Sequence, residues 1–318
     1  MGKVFEFADL ESPVDQEERR TKERRLFTYS AAALAAAENV ERVYVMFEEF
    51  KFALDACDRI YQLSRHLQTP QGALVSGPPG SCKTTLAEYF LKSLPPSNLF
   101  EVDCGAIATR LRANPVQGLI VSLLLRALKY PFTEVRKSRL YTMRDLAFEA
   151  ISAKGVKLVF VDQGHCLATQ AKPKATDVHE NAATDTLREM MDATNVGLVI
   201  LADSSFTTLE QVDPALADRV SVRLSLSHFS NDGHWVAFLT SFVSSATVCD
   251  LTFLTGDTGM AATHAATAGN RRSFRRLVTE AVLVSIDAGQ PRVTRSHMRL
   301  AFERVRGVEA TTANPYVE

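Results

Sequence analysis

Two hydrophobic periods alternate along most of this chain, and their alternation predicts a parallel sheet covered on both faces by helices. Compact apolar runs at 72–76, 99–103, 156–162, 196–202 and 220–224 have the length of strands. They lack the polar alternation of a half-exposed sheet, as strands buried on both faces require. Between them, three- and four-residue spacing predicts helices over 83–93, near 115–129, over 142–153 and over 178–193. Ahead of the first strand, Val43, Met46, Phe47, Phe50, Leu54, Cys57, Ile60 and Tyr61 make an amphipathic stripe, with Phe52 off it. One long helix within 40–67, or two, follows from that spacing. Beyond residue 225 the pattern is helical throughout, at 229–245, 258–267, 270–287 and 294–305, so a small bundle is appended to the sheet. The expected division is a charged arm (1–39), an α/β core with its leading helix (40–226), a helical domain (227–306) and a flexible tail (307–318).

Bulk composition adds limits rather than identity. The chain is 46% hydrophobic and 23% charged, with a formal net charge of -1. Its five cysteines are widely separated and form no C-x-x-C pair, so neither a disulfide framework nor a zinc site is indicated and a reducing cytosol fits best. No apolar run approaches the ~20 residues of a membrane helix, and the N-terminal residues have no signal-peptide core, so a cytoplasmic protein with no membrane partner is expected.

One stretch carries explicit chemistry. The run Gly72-Ala73-Leu74-Val75-Ser76 enters the loop Gly77-Pro78-Pro79-Gly80-Ser81-Cys82-Lys83-Thr84-Thr85 and leaves as a helix. Backbone N–H groups of such a loop cradle phosphates, the lysine serves the β/γ oxygens and the hydroxyl of Thr84 serves Mg²⁺, so a nucleotide such as ATP with Mg²⁺ is expected here. The loop departs from G-x-x-x-x-G-K-[ST] only at Cys82, whose Cβ replaces a glycine hydrogen near the phosphates. Asp162 ends the apolar run Leu158-Val159-Phe160-Val161, which is where a second metal-organising carboxylate belongs.

In this order the motifs resemble those of the AAA+ ATPases, and within them the TniB/TnsC group of ATP-dependent target-selection proteins of transposons. The likeness spans roughly 40–306. It rests on the loop 77–84, Leu158 to His165, Val199-Ile200-Leu201-Ala202-Asp203, Asp213-Pro214-Ala215-Leu216-Ala217-Asp218-Arg219-Val220, and Gly269-Asn270-Arg271-Arg272. It implies a five-stranded parallel sheet between helices with a helical lid, and an ATP site at a subunit interface. Arg219 then matches the arginine finger that reaches a neighbour's γ-phosphate. Asp203, or Ser204 beside it, takes the position that orients the attacking water, and Arg272 matches the lid arginine. All three compensate or position charge during phosphoryl transfer. Gln163 stands where the family has a glutamate that polarises water, and an amide cannot accept that proton. Slow or absent hydrolysis follows, either from a natural ATP-gated switch or from a Glu→Gln replacement that traps the ATP state.

Basic residues cluster despite the neutral total. Between Ala106 and Asp145 lie eight, against two acids, and from Gly269 to Arg306 nine arginines face three acids. Backbone-tracking contacts to double-stranded DNA need such clusters and no base-reading motif. Thr109, Arg110 and Arg112 follow the predicted second strand, where the resembled family lines its DNA pore, and Lys129, Arg136 and Lys137 extend the cluster. The resemblance thus implies a homo-oligomeric ring or filament that closes on DNA with ATP and recruits a transposase and a TniQ-like targeting protein. Two alternatives stand beside it. One is a nonhydrolysing assembly switch. The other is an initiator or clamp-loader type AAA+ of replication, which predicts an added winged-helix or collar domain that the ~12 residues after the last helix are too few to form.

Overall fold

A computed structural model of the chain describes residues 28–64, 66–67, 69–94, 105–168, 182–206, 209–307 and 313–317. Its elements, in chain order, are α1 (Ala31–Glu41), α2 (Glu48–Leu63), β1 (Gly72–Gly77), α3 (Lys83–Ser93), β2 (Ala106–Arg110), α4 (Gln117–Ala127) and α5 (Leu140–Ala153). Then follow β3 (Leu158–Asp162), α6 (Ala182–Thr194), β4 (Gly197–Asp203), the short α7 (Leu209–Val212) and α8 (Pro214–Arg219), and β5 (Val222–Ser225). Last come α9 (Gly233–Ser245), α10 (Asp257–Thr267), α11 (Arg271–Asp287) and α12 (Arg295–Arg306). The described residues divide into two compact units, one of 45–238 with 267–274, the other of 1–44, 239–266 and 275–318.

The first unit is organised by a five-stranded sheet in the order β2-β3-β4-β1-β5. Every pairing is parallel. Strand alternation sends Leu74, Val159, Val161, Leu198 and Ile200 to one face, where they pack on Leu124 and Leu125 of α4, Ile151 of α5 and Met190 of α6. Ala73, Val75, Phe160, Val199 and Leu201 point the other way, onto Phe50 and Ile60 of α2 and Leu86 and Phe90 of α3. Both faces are therefore dry, which explains why the strands read as unbroken apolar runs. Full burial of side chains the size of Phe160 or Leu86 stabilises the fold by about 1.5–3 kcal/mol each. The second strand is an exception to the expected pattern. It occupies Ala106–Arg110 rather than 99–103, and 99–103 lies outside the described residues. Its small residues Ala106 and Ala108 carry little hydrophobic signal, yet its backbone bonds to β3 fix it in the sheet.

The second unit is helical. In α1 the Ser30 hydroxyl caps the N-terminus by accepting from Ala33 N at 3.1 Å, and Ala33 and Ala37 pack against Leu283 and Ile286 of α11. Tyr29 donates to Glu280, which also pairs with Arg304 at 3.2 Å. Residues 31–39 are thus a packed helix, not part of a charged arm; the six alanines of Ala31–Glu41 supply the propensity. Nor do all of residues 307–318 form a loose tail. Tyr316 is buried with its hydroxyl donating to Thr263 at 3.0 Å, and Arg295 donates to the carbonyls of Tyr316 and Val317. The expected boundary at 226/227 also differs from the contacts, because 227–238 and 267–274 pack with the sheet unit. Phe229, Trp235, Phe238 and Phe274 form an aromatic cluster within that unit.

Candidate functional site

Register brings the chemistry to one edge. Gly77 at the end of β1 lies beside Asp203 at the end of β4, while Asp162 ends β3 next to Arg110 of β2. This carboxyl edge is the crevice where open α/β sheets bind ligands, and the N-terminus of α3 opens into it. Gly77 is required by space and Gly80 by its left-handed backbone. A Cβ on Gly77 would sit 2.3 Å from the Leu226 carbonyl oxygen, and one on Gly80 (φ +85°) 2.2 Å from Asn270 Oδ1. Lys83 Nζ donates to the carbonyls of Gly77 at 2.5 Å and Pro78 at 2.9 Å. Burial lowers the Lys83 pKa and the neighbouring Arg272 adds to that, against the opposing pull of Asp203 and Asp162.

The carboxylates complete the site. Thr84 Oγ1 donates to Asp162 Oδ2 at 3.0 Å, so a hydroxyl and a carboxylate oxygen share one small volume beside the loop. That all-oxygen pair suits Mg²⁺, which takes one or two protein oxygens and fills the rest of its shell with water and phosphate. No cluster of three or more His, Cys, Asp or Glu able to hold a metal alone occurs among the described residues. Asp203 accepts from the Ser204 hydroxyl at 3.1 Å and from Ser205 N at 3.4 Å. Burial alone would raise its pKa, but these hydrogen bonds and the Lys83 charge hold the carboxyl below its ordinary range. Ser204 N is tied to the Gly77 carbonyl at 3.1 Å, which locks this corner to the loop.

Cys82 has φ +70°, ψ +19°, the left-handed conformation that the glycine of this loop adopts without strain. For a residue with a Cβ that conformation costs about 1–2 kcal/mol. Cys82→Gly is expected to tighten nucleotide binding several-fold without lowering the melting midpoint, as read by nucleotide titration and thermal unfolding. Unchanged affinity would place the thiol outside the path of the phosphates.

Gln163 also stands in the left-handed region, at φ +59°, and its amide turns to β2. With its oxygen facing Arg110 it accepts from Nη2 at 2.7 Å and Nε at 3.2 Å, while its NH₂ donates to the Leu111 carbonyl at 2.7 Å. The hydrogen-bond network fixes this orientation of the amide. Arg110, Arg112, Arg126 and Gln163 line a groove of about 490 Å³. The proposed DNA-facing residues are therefore not one group. Arg110 and Arg112 are exposed at this groove, whereas Lys129, Arg136 and Lys137 lie exposed on the segment between α4 and α5. Thr109 departs from the expectation: it is buried, and its hydroxyl donates to the Phe160 carbonyl at 3.3 Å, so it faces the sheet rather than solvent.

Arg219 is fully engaged at the opposite end of the sheet. Its Nε and Nη2 bind Asp192 at 2.8 and 2.9 Å, and Nη1 donates to the Ala215 carbonyl at 2.9 Å. The Asp192 hydrogen bonds raise its pKa. Val222 pairs with Ala73, at the amino end of β1, so Arg219 sits far from the phosphate loop of its own subunit. A finger role has to be exercised on another chain.

At the start of α11, Arg272, the residue that matches the lid arginine, is exposed and close enough to Lys83 to depress its pKa. The neighbour is the more engaged residue. Arg271 is 4% exposed, packs in the corner formed by the edge-to-face rings of Phe47 and Phe229, 3.8 and 4.4 Å from their centroids, and donates from Nη1 to the Ser81 carbonyl at 3.1 Å. A sequence signal for it existed: Arg271 shares the buried three- and four-residue stripe of Phe274, Val278 and Ala281, and Arg272 does not. Asn270 Nδ2 and His228 Nε2 meet the Pro79 carbonyl at 2.9 and 3.0 Å.

Comparison with known proteins agrees with this geometry. No curated protein sequence matches the chain. Among solved structures, the ORC1 protein of Aeropyrum pernix in complex with DNA is 17% identical and superposes over 85% of this chain and 69% of that one, with a TM-score of 0.61. The ORC2 protein of Aeropyrum pernix in its ADPNP-ADP complexes gives 15%, 86% and 72%, with a TM-score of 0.64. Cdc6p from Pyrobaculum aerophilum gives 14%, 84% and 70%, with a TM-score of 0.56. At such identities the likeness is one of fold. No described helix is long and apolar enough to cross a membrane. Residues 73–228 match the ATPase family associated with various cellular activities (AAA), and with the five-stranded parallel sheet and its glycine loop this stretch is an AAA ATPase-family domain of AAA+ P-loop fold.

Proposed function

We propose that this chain is an ATP-dependent regulator that binds ATP with Mg²⁺, assembles as a homo-oligomer on double-stranded DNA and, as a TniB/TnsC-like protein, recruits a transposase and a targeting protein. The observation that carries the DNA-coupled part is the contact between Gln163 and Arg110. The residue at the water-polarising position is bonded to a cation that lines a basic groove, so a DNA phosphate that draws Arg110 away frees Gln163 beside Asp162 and Thr84. Lys83, Thr84 and Asp162 hold nucleotide and metal, Asp203 or Ser204 orients water, Arg272 contacts phosphate in the same subunit, and Arg219 acts on the neighbour after exchanging Asp192 for phosphate. The nucleotide unit and the helical lid are the working domains, acting in the cytoplasm at the chromosome. The transposition assignment rests on the likeness of the ordered motifs to that group.

Electron microscopy of the chain with ATP and duplex DNA tests the assembly; particles that stay monomeric on DNA would overturn it. Arg110→Glu with Arg112→Glu is expected to weaken duplex binding for all sequences and to flatten its salt dependence, because phosphate contacts release counterions and read no bases. A loss confined to some sequences would mean base readout instead.

A further inference from the structure

We infer that Arg271 is a positioning residue of the phosphate loop, one that fixes the peptide plane between Ser81 and Cys82 so that the Cys82 N–H is directed into the nucleotide cradle. The inference deepens the nucleotide-binding reading above and rests on it. In a trans peptide the C=O and N–H point in opposite directions. The bond from Arg271 Nη1 to the Ser81 oxygen therefore sets the direction of the Cys82 N–H, and the bonds of Asn270 and His228 to the Pro79 oxygen do the same for the Gly80 N–H. Two of the loop's backbone donors are thus aimed from behind, by side chains on the far side of their peptide planes.

The Ser81–Cys82 plane is the one that most needs holding. Glycine adopts the left-handed conformation freely, whereas Cys82 is held in it at φ +70° against its Cβ. The clamp itself is rigid. A planar guanidinium buried in the corner of the edge-to-face Phe47–Phe229 pair has little freedom to rotate, and a lysine ammonium in that place would present neither the plane nor the fork.

Stability does not account for an arginine at this place. Taking a guanidinium to 4% exposure carries a large desolvation cost, and the compensation within the described residues is thin. One carbonyl bond at 3.1 Å and a Glu49 carboxylate at 3.6 Å face it, and Nε has no hydrogen-bond partner. An apolar side chain of similar length fills such a slot at no such cost. What an apolar side chain cannot do is hold the Ser81 carbonyl and place a positive charge behind the phosphate loop.

The test is a double-mutant cycle on the full chain, reading the dissociation constant of a fluorescent ATP analogue with Mg²⁺ alongside the melting midpoint without nucleotide. Arg271→Met is expected to leave the midpoint unchanged or higher while weakening nucleotide at least about tenfold, the loss of one charge-assisted bond. Arg276→Met, at an exposed position of the same helix, serves as the control for removal of a positive charge, and Arg271→Lys is expected to fall between wild type and Arg271→Met. In a Cys82→Gly background the loss from Arg271→Met is expected to shrink to about threefold or less, since glycine holds the left-handed turn unaided. Equal fold-losses in both backgrounds, or wild-type affinity in Arg271→Met and Arg271→Lys, overturn the inference alone. A wild-type chain that binds no nucleotide overturns the proposed function itself.

Discussion

Lys83→Ala is expected to abolish nucleotide binding and, with it, ATP-dependent assembly, while the melting midpoint of the nucleotide-free chain changes little. The ammonium is the one cation of the phosphate loop, and each hydrogen bond to a charged group is worth about 1.5–3 kcal/mol. Nζ donates to the Gly77 and Pro78 carbonyls, so turning it to phosphate exchanges two neutral acceptors for anionic ones. The net loss is therefore smaller than the gross bond energy, yet roughly 10²-fold in affinity or more remains the expected scale. Titration with a fluorescent ATP analogue measures it. Near-wild-type affinity in Lys83→Ala would remove the nucleotide site from this edge of the sheet.

Gln163→Glu is expected to raise ATP turnover by ~10²–10⁴ when duplex DNA is present, because a carboxylate accepts the proton that an amide refuses. The geometry adds a condition that the motif alone does not contain. Arg110 already approaches the Gln163 oxygen from Nη2 and Nε, so a carboxylate there gains a forked, charge-assisted pair and is held away from the water until Arg110 is drawn off. Without DNA the Gln163→Glu chain should accordingly turn over slowly, and Arg110→Ala added to it should make turnover fast and independent of DNA. Phosphate release with and without duplex distinguishes the cases. If Gln163→Glu is no faster than the chain with Gln163 under either condition, residue 163 does not occupy the hydrolytic position.

Much of the sheet was legible because its strands are apolar on both faces. Leu158–Asp162 and the helix Lys83–Ser93 were placed within two residues at each end by periodicity and by the loop between strand and helix. Strand β2 escapes the pattern for the converse reason: Ala106, Ala108 and Thr109 carry little hydrophobic signal, and pairing with β3 outweighs local preference. The helix of residues 31–39 was hidden by the charged blocks before it, and the anchoring of Tyr316 depends on a partner 53 positions away, beyond the reach of any local pattern. At the site, residue types and spacing pointed to Lys83, Thr84 and Asp162, and the structure brings Thr84 and Asp162 together. Spacing gave no hint that Gln163 turns to Arg110, or that Asp192 occupies Arg219, because both contacts join separate elements through side-chain rotamers.

The position of Arg219 also has a bearing on direction. Val222 and Ala73 mark one end of the sheet and Gly77 the other, so the arginine and the phosphate loop it is proposed to serve lie at opposite poles of the same subunit. A contact that joins such poles is head-to-tail and cannot be its own mirror. Any open run of subunits then has two unlike termini, one with an unattended phosphate loop and the other with an arginine still held by Asp192. Growth at the two termini would proceed by different chemistry, and only closure would leave every arginine employed.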